Sequence, residues 1–177
     1  MNEHVIEKLK WAVRNVPDFP KPGIIFKDIT PILSDPLLFE LAVECFVEKN
    51  KALSPDKICA IEARGFIFGS AVAYVLGIGL IPIRKKGKLP FKTHQVAYDL
   101  EYGQAEIEMH VDAISEGESV VLIDDLLATG GTAAAASQLI SKAGGKLLQT
   151  QFLIELSFLK GRENKLAGIP VHSFIHL

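Results

Sequence analysis

Short apolar segments alternate with longer helical ones along this sequence, and this alternation constrains its fold more than any other feature. Four apolar runs have the length of buried strands: KICAI (57–61), GLIPI (79–83), SVVLID (119–124) and KLLQTQFLI (146–154). Helical patterns over 66–76 and 132–143 follow two of them. Strands joined by helices form right-handed crossovers, so we predict an α/β fold with a central parallel sheet flanked by helices.

The N-terminal part of the chain predicts a helix followed by an irregular segment. Val5, Leu9, Ala12, Val13 and Val16 recur at helical spacing, and this helix must end before the first proline of the next segment. Residues 17–33 contain four prolines, whose fixed φ angles favour an extended loop over a helix. Ser34-Asp35-Pro36 is then typical of a helix start.

Two further patterns complete the expected fold. QVAYDLEY (95–102) and AEIEMHV (105–111) alternate apolar and polar residues around Gly103, which predicts an antiparallel hairpin beyond the parallel strands. VHSFIHL (171–177) predicts a last short strand. We expect the 177 residues to form one domain.

Composition argues against several classes of function. Lys+Arg 19 against Asp+Glu 21 leaves a net charge of −2, which gives no electrostatic reason to expect nucleic acid or an anionic membrane as a partner. The uncharged stretch 65–83 is interrupted by glycines and a proline, so we interpret it as core. Cys45 and Cys59 lack metal-ligand spacing, and we expect buried, reduced thiols and a cytoplasmic location.

The segment VVLIDDLLATGGT (120–132) predicts a binding site for a phosphorylated sugar. Ligands of open α/β sheets bind beyond the carboxyl ends of the strands, and here an apolar strand leads into Asp124 and Asp125. The glycines of the following TGGT turn allow backbone N–H groups to approach a phosphate at a helix N-terminus. The carboxylates would repel that phosphate unless they face hydroxyls or a metal, as with a ribose 5-phosphate.

This segment resembles the phosphoribosyl-pyrophosphate motif of the type I phosphoribosyltransferases, in which a strand, two acidic residues and a TGGT loop occur in that order. A surface turn with a helix cap is the alternative interpretation. The resemblance implies the fold of that family, with a hood and a flexible β-hairpin loop, and a catalytic role for Asp124 and Asp125. It also implies Mg²⁺ held mainly by the substrate, with no direct protein ligand. The implied phosphate-binding residues are Ala128, Thr129, Gly130, Gly131 and Thr132.

Two other segments resemble the pyrophosphate-binding parts of the same family. AIEARGF (60–66) is similar to the pyrophosphate loop, which gives Arg64 a catalytic role at the leaving group, although some relatives have Asp and Ser where this chain has Glu62 and Ala63. RKKGK (84–88) carries four cations in five residues; a charge run is usually a solvated face, but a pyrophosphate requires cations. We expect three of them to bind it: Arg84, Lys85 and Lys88.

The N-terminal segment indicates the base. PDFPKPGIIFKDITPIL, RKKGKLP, LEYGQAEIE and DDLLATGGT resemble, in that order, the adenine-specific subfamily, and the resemblance runs from about Val16 to about Arg162. It implies that Phe26 stacks on the purine with Leu126 on the other face. Backbone groups of Ile25 and Lys27 would bind the Watson–Crick edge, a pattern that an oxopurine reverses.

The resemblance also implies a reaction and an organisation. A glycosyltransferase of this kind, a pentosyltransferase, transfers the phosphoribosyl group from phosphoribosyl pyrophosphate to adenine and releases AMP and pyrophosphate in purine salvage. Glu101 would handle the purine proton and Tyr102 would help to close the loop. The hood would span about 1–33, the core about 34–177 and the mobile loop about 85–106, and the family implies a homodimer.

Three other interpretations remain. An enzyme of the same fold could take an oxopurine, against which the N-terminal segment argues. A regulator could bind phosphoribosyl pyrophosphate without turnover, but it should carry a DNA-binding domain or a basic face. A scaffolding domain would leave the acidic pair and the TGGT loop without a role.

Overall fold

The computed structural model describes residues 3–99 and 103–177, which form an α/β fold. Its helices are α1 (Glu3–Ala12), α2 (Thr30–Ser34), α3 (Pro36–Leu53), α4 (Arg64–Leu76), α5 (Gly131–Lys142) and α6 (Gly161–Lys165), with a 3₁₀ turn at Ser157–Leu159. Its strands are β1 (Arg14–Pro17), β2 (Ile25–Asp28), β3 (Lys57–Ile61), β4 (Gly79–Lys85), β5 (Thr93–Asp99), β6 (Gln104–His110), β7 (Ser119–Leu127), β8 (Lys146–Glu155) and β9 (Val171–His176).

The central sheet has seven strands in the order β5-β6-β4-β3-β7-β8-β9. The five strands β4, β3, β7, β8 and β9 are parallel, as predicted. The predicted hairpin is also present: β5 and β6 pair antiparallel, and β6 continues the sheet by pairing with β4 opposite Arg84 and Lys85. The cationic run therefore begins inside the main sheet and continues into the turn beyond it.

Both faces of the sheet are covered, because alternate residues of the buried strands point to opposite sides. On β7, Val121 and Ile123 pack into the cluster formed by α1, α3 and α4. Val120 and Leu122 of the same strand pack into a second cluster with α5 and the hairpin. Cys45 and Cys59 are buried free thiols, as expected.

The region before α3 departs from the prediction in two places. The first helix ends at Ala12, and Val16, which was expected on its apolar face, lies instead in β1 opposite Phe26 of β2. Strand pairing overrides the helical spacing there. Within the segment predicted as an extended loop, α2 forms with Pro31 in its first turn, where the missing N–H costs no helical hydrogen bond.

Two polar interactions fix α3: one caps its N-terminus and the other joins it to the sheet. Asp35 caps the helix by accepting hydrogen bonds from the backbone N–H groups of Leu37 and Leu38, which confirms the predicted helix start. Further along, the buried side-chain amides of Asn50 and Gln151 exchange hydrogen bonds of 2.9 and 3.1 Å between α3 and β8. No helix in the described part of the chain is long and apolar enough to span a membrane.

Candidate active site

Three loops meet at the carboxyl edge of the sheet, where α/β proteins bind their ligands. Ile61 of β3 lies beside Ile83 of β4, and Ala60 lies beside Ile123 of β7, so the residues that follow these strands are neighbours. The N-terminus of α4 approaches β7 closely: a Cβ added at Gly65 would lie 2.8 Å from Oδ1 of Asp124. The acidic pair, the Arg64 turn and the cationic run predicted from the sequence are therefore brought together.

The acidic pair lies within β7 and not after it, because this strand extends to Leu127. Asp124 is half-buried and Asp125 is buried. Burial raises the pKa of Asp124 well above its usual range, and the charge of Asp125 raises it further. Burial also raises the pKa of Asp125, although the neighbouring Arg64 opposes this shift. The pair therefore resists carrying two negative charges until a donor or a cation reaches it.

One carboxylate oxygen of this pair is poorly satisfied. Oδ2 of Asp125 lies 2.9 Å from Nη2 of Arg64, an ion pair, but the N–H direction does not give an aligned hydrogen bond, and no other donor within residues 3–99 and 103–177 reaches this atom. Most buried polar atoms are hydrogen-bonded, so an unsatisfied carboxylate oxygen beside Arg64 and the TGGT loop is available to accept from a ligand. The site at Asp125 is therefore suited to a hydroxyl group or a hard cation.

The TGGT loop forms a cradle at the start of α5. Gly130 occupies the N-cap position with φ +85°, so it has no side chain to cap the helix. The N–H groups of the first helical turn are therefore available to a ligand, and the helix dipole favours an anion at this place. A cavity of about 80 Å³ opens here, lined by the predicted phosphate-binding residues 128–132 together with Asp124 and Leu126.

The cradle contacts two neighbouring elements that the sequence motifs did not indicate. The Thr132 hydroxyl donates to the hydroxyl oxygen of Tyr98 on the hairpin, over 3.2 Å. On the other side the backbone of Gly161, at the start of α6, packs against the loop so closely that a Cβ there would lie 2.9 Å from the carbonyl carbon of Thr129. These contacts are non-local, and the local pattern around Gly161 carried no signal of them.

The cationic run is held by carboxylates. Glu62 accepts a 2.7 Å hydrogen bond from Nε of Arg84, while Nη1 of Arg84 donates to the carbonyl of Lys88. Glu108, which is 2% exposed, accepts from the backbone N–H groups of Lys88 and Leu89 at 2.8 and 2.9 Å. Burial alone would raise the pKa of Glu108, but these hydrogen bonds lower it. Arg84 thus faces the turn after β3, whereas Lys85 and Lys88 are exposed.

Arg64 connects the acidic pair to the N-terminal segment. Its guanidinium lies over the ring of Phe26, 5.1 Å from the centroid, and its Nη1 is 3.5 Å from the carbonyl oxygen of Lys27. Phe19 meets the ring of Phe26 edge-on at 5.2 Å. Ile25 is 56% exposed. The structure therefore places two of the four residues predicted to bind the base, Phe26 and Lys27, beside Arg64.

Two predicted residues, Glu101 and Tyr102, lie outside the described residues. The strands on either side of them are described: β5 ends at Asp99 and β6 begins at Gln104. Within residues 3–99 and 103–177, no group of three or more His, Cys, Asp or Glu side chains has the arrangement of a metal site.

Comparison with known proteins gives consistent matches. Residues 31–167 match the family model described as phosphoribosyl transferase domain. The chain is 51% identical over 170 residues to the adenine phosphoribosyltransferase of Methylacidiphilum infernorum, a match that covers 96% of this chain and 94% of that protein.

Solved structures agree with these matches. The crystal structure of adenine phosphoribosyltransferase from Rhodothermus marinus superposes with a TM-score of 0.93 at 49% identity, over 99% of this chain and 100% of that one. The Saccharomyces cerevisiae enzyme, solved with adenine and an imino-altritol bisphosphate, gives a TM-score of 0.92 at 38% identity over 98% and 99% of the two chains.

Proposed function

The chain belongs to the adenine phosphoribosyltransferase family, and we propose that the edge described above is its active site. The reaction transfers the 5-phosphoribosyl group from phosphoribosyl pyrophosphate to adenine and yields AMP and pyrophosphate, a step of purine salvage. The observation that carries the assignment of the site is the acidic pair, half-buried at Asp124 and buried at Asp125, next to an uncapped helix N-terminus, since this combination suits a ribose 5-phosphate.

The phosphoribosyl group would lie along β7 and its loop. The 5-phosphate would accept hydrogen bonds from the backbone N–H groups of residues 128–132 and from the hydroxyls of Thr129 and Thr132. The two ribose hydroxyls would donate to Asp124 and Asp125, which would supply the donor that Oδ2 of Asp125 lacks. One ligand thereby satisfies both the N–H groups and the carboxylates.

The pyrophosphate would lie between the turn after β3 and the cationic run. Backbone groups of residues 62–65 and the cations Arg84, Lys85 and Lys88 would contact it. Because Arg84 is already oriented by Glu62, it needs only a small movement to meet the leaving group. Arg64, which lies beside Asp125, would stabilise charge where the bond breaks.

The site fits Mg²⁺ bound with the substrate. Asp124 and Asp125 are oxygen donors whose paired charges are unfavourable when buried, and a hard cation or hydroxyl groups would relieve that cost. Oxygens of pyrophosphate and ribose would provide most of the ligands, with the acidic pair nearby. When bound, the ion would supply charge neutralisation for the departing pyrophosphate.

The base would bind on the β2 side of the site. The carbonyl oxygen of Lys27 lies 3.5 Å from Nη1 of Arg64. Because alternate residues of a strand turn their backbone groups to the same side, the backbone of Ile25 would face the site as well. An exposed carbonyl and an N–H two residues apart can accept from the exocyclic amine of adenine and donate to N1. Phe26 and Leu126 would enclose the ring. An oxopurine would leave these groups unpaired.

In the reaction, a ring nitrogen of adenine attacks C1′ of the ribose while the bond from C1′ to the pyrophosphate oxygen breaks. The transition state resembles an oxocarbenium ion, and the protein contributes alignment of the reactants and stabilisation of the departing charge. Glu101 would take the proton released by the purine, and Tyr102 would help to close the hairpin over the site.

The wider organisation follows the same proposal. Residues 1–33 would act as the hood, 34–177 as the core and 85–106 as the mobile loop of one domain. The chain would work in the cytoplasm as a homodimer, with Ile67, Tyr74 and Val75 on one face of α4 as an exposed apolar surface for its partner. The molar mass in solution by light scattering, for the native chain and for Tyr74→Glu, tests the dimer.

The experiment that tests the function is product formation from phosphoribosyl pyrophosphate and Mg²⁺ with adenine, hypoxanthine, guanine and xanthine in parallel. We expect AMP to form fastest and the oxopurines to react poorly. Preference for an oxopurine would overturn the base assignment for residues 17–33. Binding of phosphoribosyl pyrophosphate without any turnover would make the protein a sensor.

A further inference from the structure

The phosphate cradle is held from outside by a segment that contacts none of the proposed ligands. Gly161 begins α6, and a Cβ at this position would overlap the carbonyl oxygen of Ala128 and lie 3.0 Å from the nitrogen of Gly130. The contact is mutual, since a Cβ at Gly130 would lie 2.8 Å from the carbonyl oxygen of Gly161. Two backbone segments therefore touch directly at the loop whose N–H groups face the cavity.

The next residue, Arg162, ties this segment to the sheet. Its Nε and Nη2 donate to the two carboxylate oxygens of Glu155 at 3.2 and 2.5 Å. Its Nη1 donates to the carbonyl of Val171 at 2.9 Å, and Nη2 also reaches the hydroxyl of Ser173. A planar guanidinium that makes contacts with two strands, β8 and β9, has little freedom to move.

In the ion pair between Arg162 and Glu155, the carboxylate is well buried. The side chain of Glu155 is 7% exposed, against 34% for Arg162. Burial alone would raise the pKa of Glu155, but the hydrogen bonds from Arg162 and Ser173 lower it, so the pair stays ionised at neutral pH. Behind it, buried Leu166 packs with Ala133 of α5 and Leu127 of β7. The α6 segment thus joins the end of the sheet to the start of the phosphate-binding helix.

We propose that Arg162 is a positioning residue for the phosphate loop: by holding Gly161 against residues 128–130, it sets the affinity for the phosphoribosyl substrate. The inference rests on the proposed function, since it takes this loop as the 5-phosphate site. The proposal predicts different effects on the two KM values, which a general loss of stability would not produce. The KM for phosphoribosyl pyrophosphate should change, while the KM for adenine, which binds on the β2 side, should not.

The test compares Arg162→Met with Lys57→Met. Lys57 makes a 2.7 Å ion pair with Glu118 at the opposite end of the parallel strands, with side chains 27% and 25% exposed. Both changes remove a partly buried ion pair, so both should lower the melting temperature. Because displacement of a binding group by about 1 Å can cost on the order of 100-fold, we expect the KM for phosphoribosyl pyrophosphate to rise about 10- to 100-fold in Arg162→Met only.

Two further measurements separate positioning from folding. In Arg162→Ala, added guanidinium ion at millimolar concentration should restore part of the affinity for phosphoribosyl pyrophosphate, because it can occupy the vacated place beside Glu155. Gly161→Ala keeps the ion pair but pushes the loop, and it should give the same selective rise in KM. If these Arg162 variants fail to fold, Arg162→Lys takes their place, because it keeps a cation beside Glu155 but loses the contacts of the guanidinium with Val171 and Ser173.

Equal changes in the two KM values, or a KM for phosphoribosyl pyrophosphate that stays at the native value in Gly161→Ala, would overturn the positioning role. Failure of the proposed function is distinguishable, because it would appear in the native chain as an absence of AMP. Calorimetric binding of phosphoribosyl pyrophosphate to the same variants would then still test the contact between Gly161 and the loop.

Discussion

The two regions proposed to bind anions at the carboxyl edge of the sheet are held in opposite ways. The loop after β7 is held by backbone against backbone, where Gly130 and Gly161 meet. The loops after β3 and β4 are held by charge, with Arg84 on Glu62 and the turn at Lys88 on the buried Glu108.

On the proposed function, this difference matches the fates of the two anions. The 5-phosphate stays on the sugar through the reaction, and a loop fixed by packing would keep the sugar at one position in the site. The pyrophosphate must bind, gain charge and leave, and Arg84, whose side chain is 35% exposed, can exchange its carboxylate partner for another anion. The substrate is therefore anchored at one end and released at the other.

The largest effect should come from adding one carbon to the backbone-held loop. Gly130→Ala brings a Cβ within 2.8 Å of the carbonyl oxygen of Gly161, and we expect the KM for phosphoribosyl pyrophosphate to rise at least about 100-fold. Gly168→Ala is the matched control: its φ of +83° imposes similar backbone strain, but a Cβ there meets nothing within 4 Å. Steady-state kinetics of both variants would measure the difference, and equal effects would show that strain and not contact matters.

The acidic pair lies between the two regions, and we expect it to lower the stability of the folded chain while it strengthens substrate binding. Asp124→Asn removes a charged acceptor for a ribose hydroxyl, which is worth about 1.5–3 kcal/mol, so the KM for phosphoribosyl pyrophosphate should rise roughly 10- to 100-fold. Since burial and the charge of Asp125 raise the pKa of Asp124, ionisation of this group destabilises the folded state increasingly as the pH rises above the usual Asp range.

The variant should therefore melt at a higher temperature than the native chain at pH 7, and the gap should shrink towards pH 4. Thermal unfolding across this range checks the sign. A lower melting temperature at neutral pH would mean that the carboxylate stabilises the empty site.

In the charge-held region, we expect only the cations that face the site to affect the KM for phosphoribosyl pyrophosphate. Arg84→Met removes the guanidinium held by Glu62, and we expect about a 10-fold rise in the KM for phosphoribosyl pyrophosphate. Lys86→Met, two residues away, removes an exposed pair with Glu106 and should change the KM less than about 2-fold. Similar rises in KM in both variants would indicate that the overall positive charge of the run attracts the substrate, and not a specific contact of Arg84.

The smallest effect concerns β9, the strand to which Arg162 ties the backbone-held region. Burial, reinforced by Lys49 and Arg162, lowers the pKa of His172 to about 4. Protonation then favours the unfolded state, so native stability should fall as the pH drops from about 6.5 towards 4. His172→Gln should remove about 1 kcal/mol of this loss between pH 7 and pH 5, after allowance for solvent around a half-buried ring. Urea unfolding at the two pH values measures it.

What the sequence could predict was local. The strands, the hairpin and the cap at Asp35 each depend on contiguous residues, and so does the TGGT loop, whose glycines and following helix are adjacent in the chain. The resemblance placed Arg64 and Arg84 at the same edge. Exposed carboxylates and buried ones look alike in a sequence, so Glu108 gave no signal of its role beneath the turn at Lys88.

What the sequence missed depended on distant partners. The contact of Gly161 with residues 128–130 joins segments about thirty positions apart and requires the sheet to be assembled first. Val16 was assigned to a helix because its spacing fits one, but its pairing with Phe26 is a tertiary interaction. Local propensity is a weak guide wherever such pairing competes with it.

The burial of Cys59 in the middle of β3 has a practical consequence. Its side chain is 0% exposed, and burial raises the pKa of its thiol to about 12, so almost no thiolate exists at neutral pH in the folded chain. Alkylating reagents and mild oxidants act on the thiolate and need access to it. Modification at this position therefore requires the sheet to open. The rate of labelling under native conditions would measure how often β3 becomes exposed by such opening.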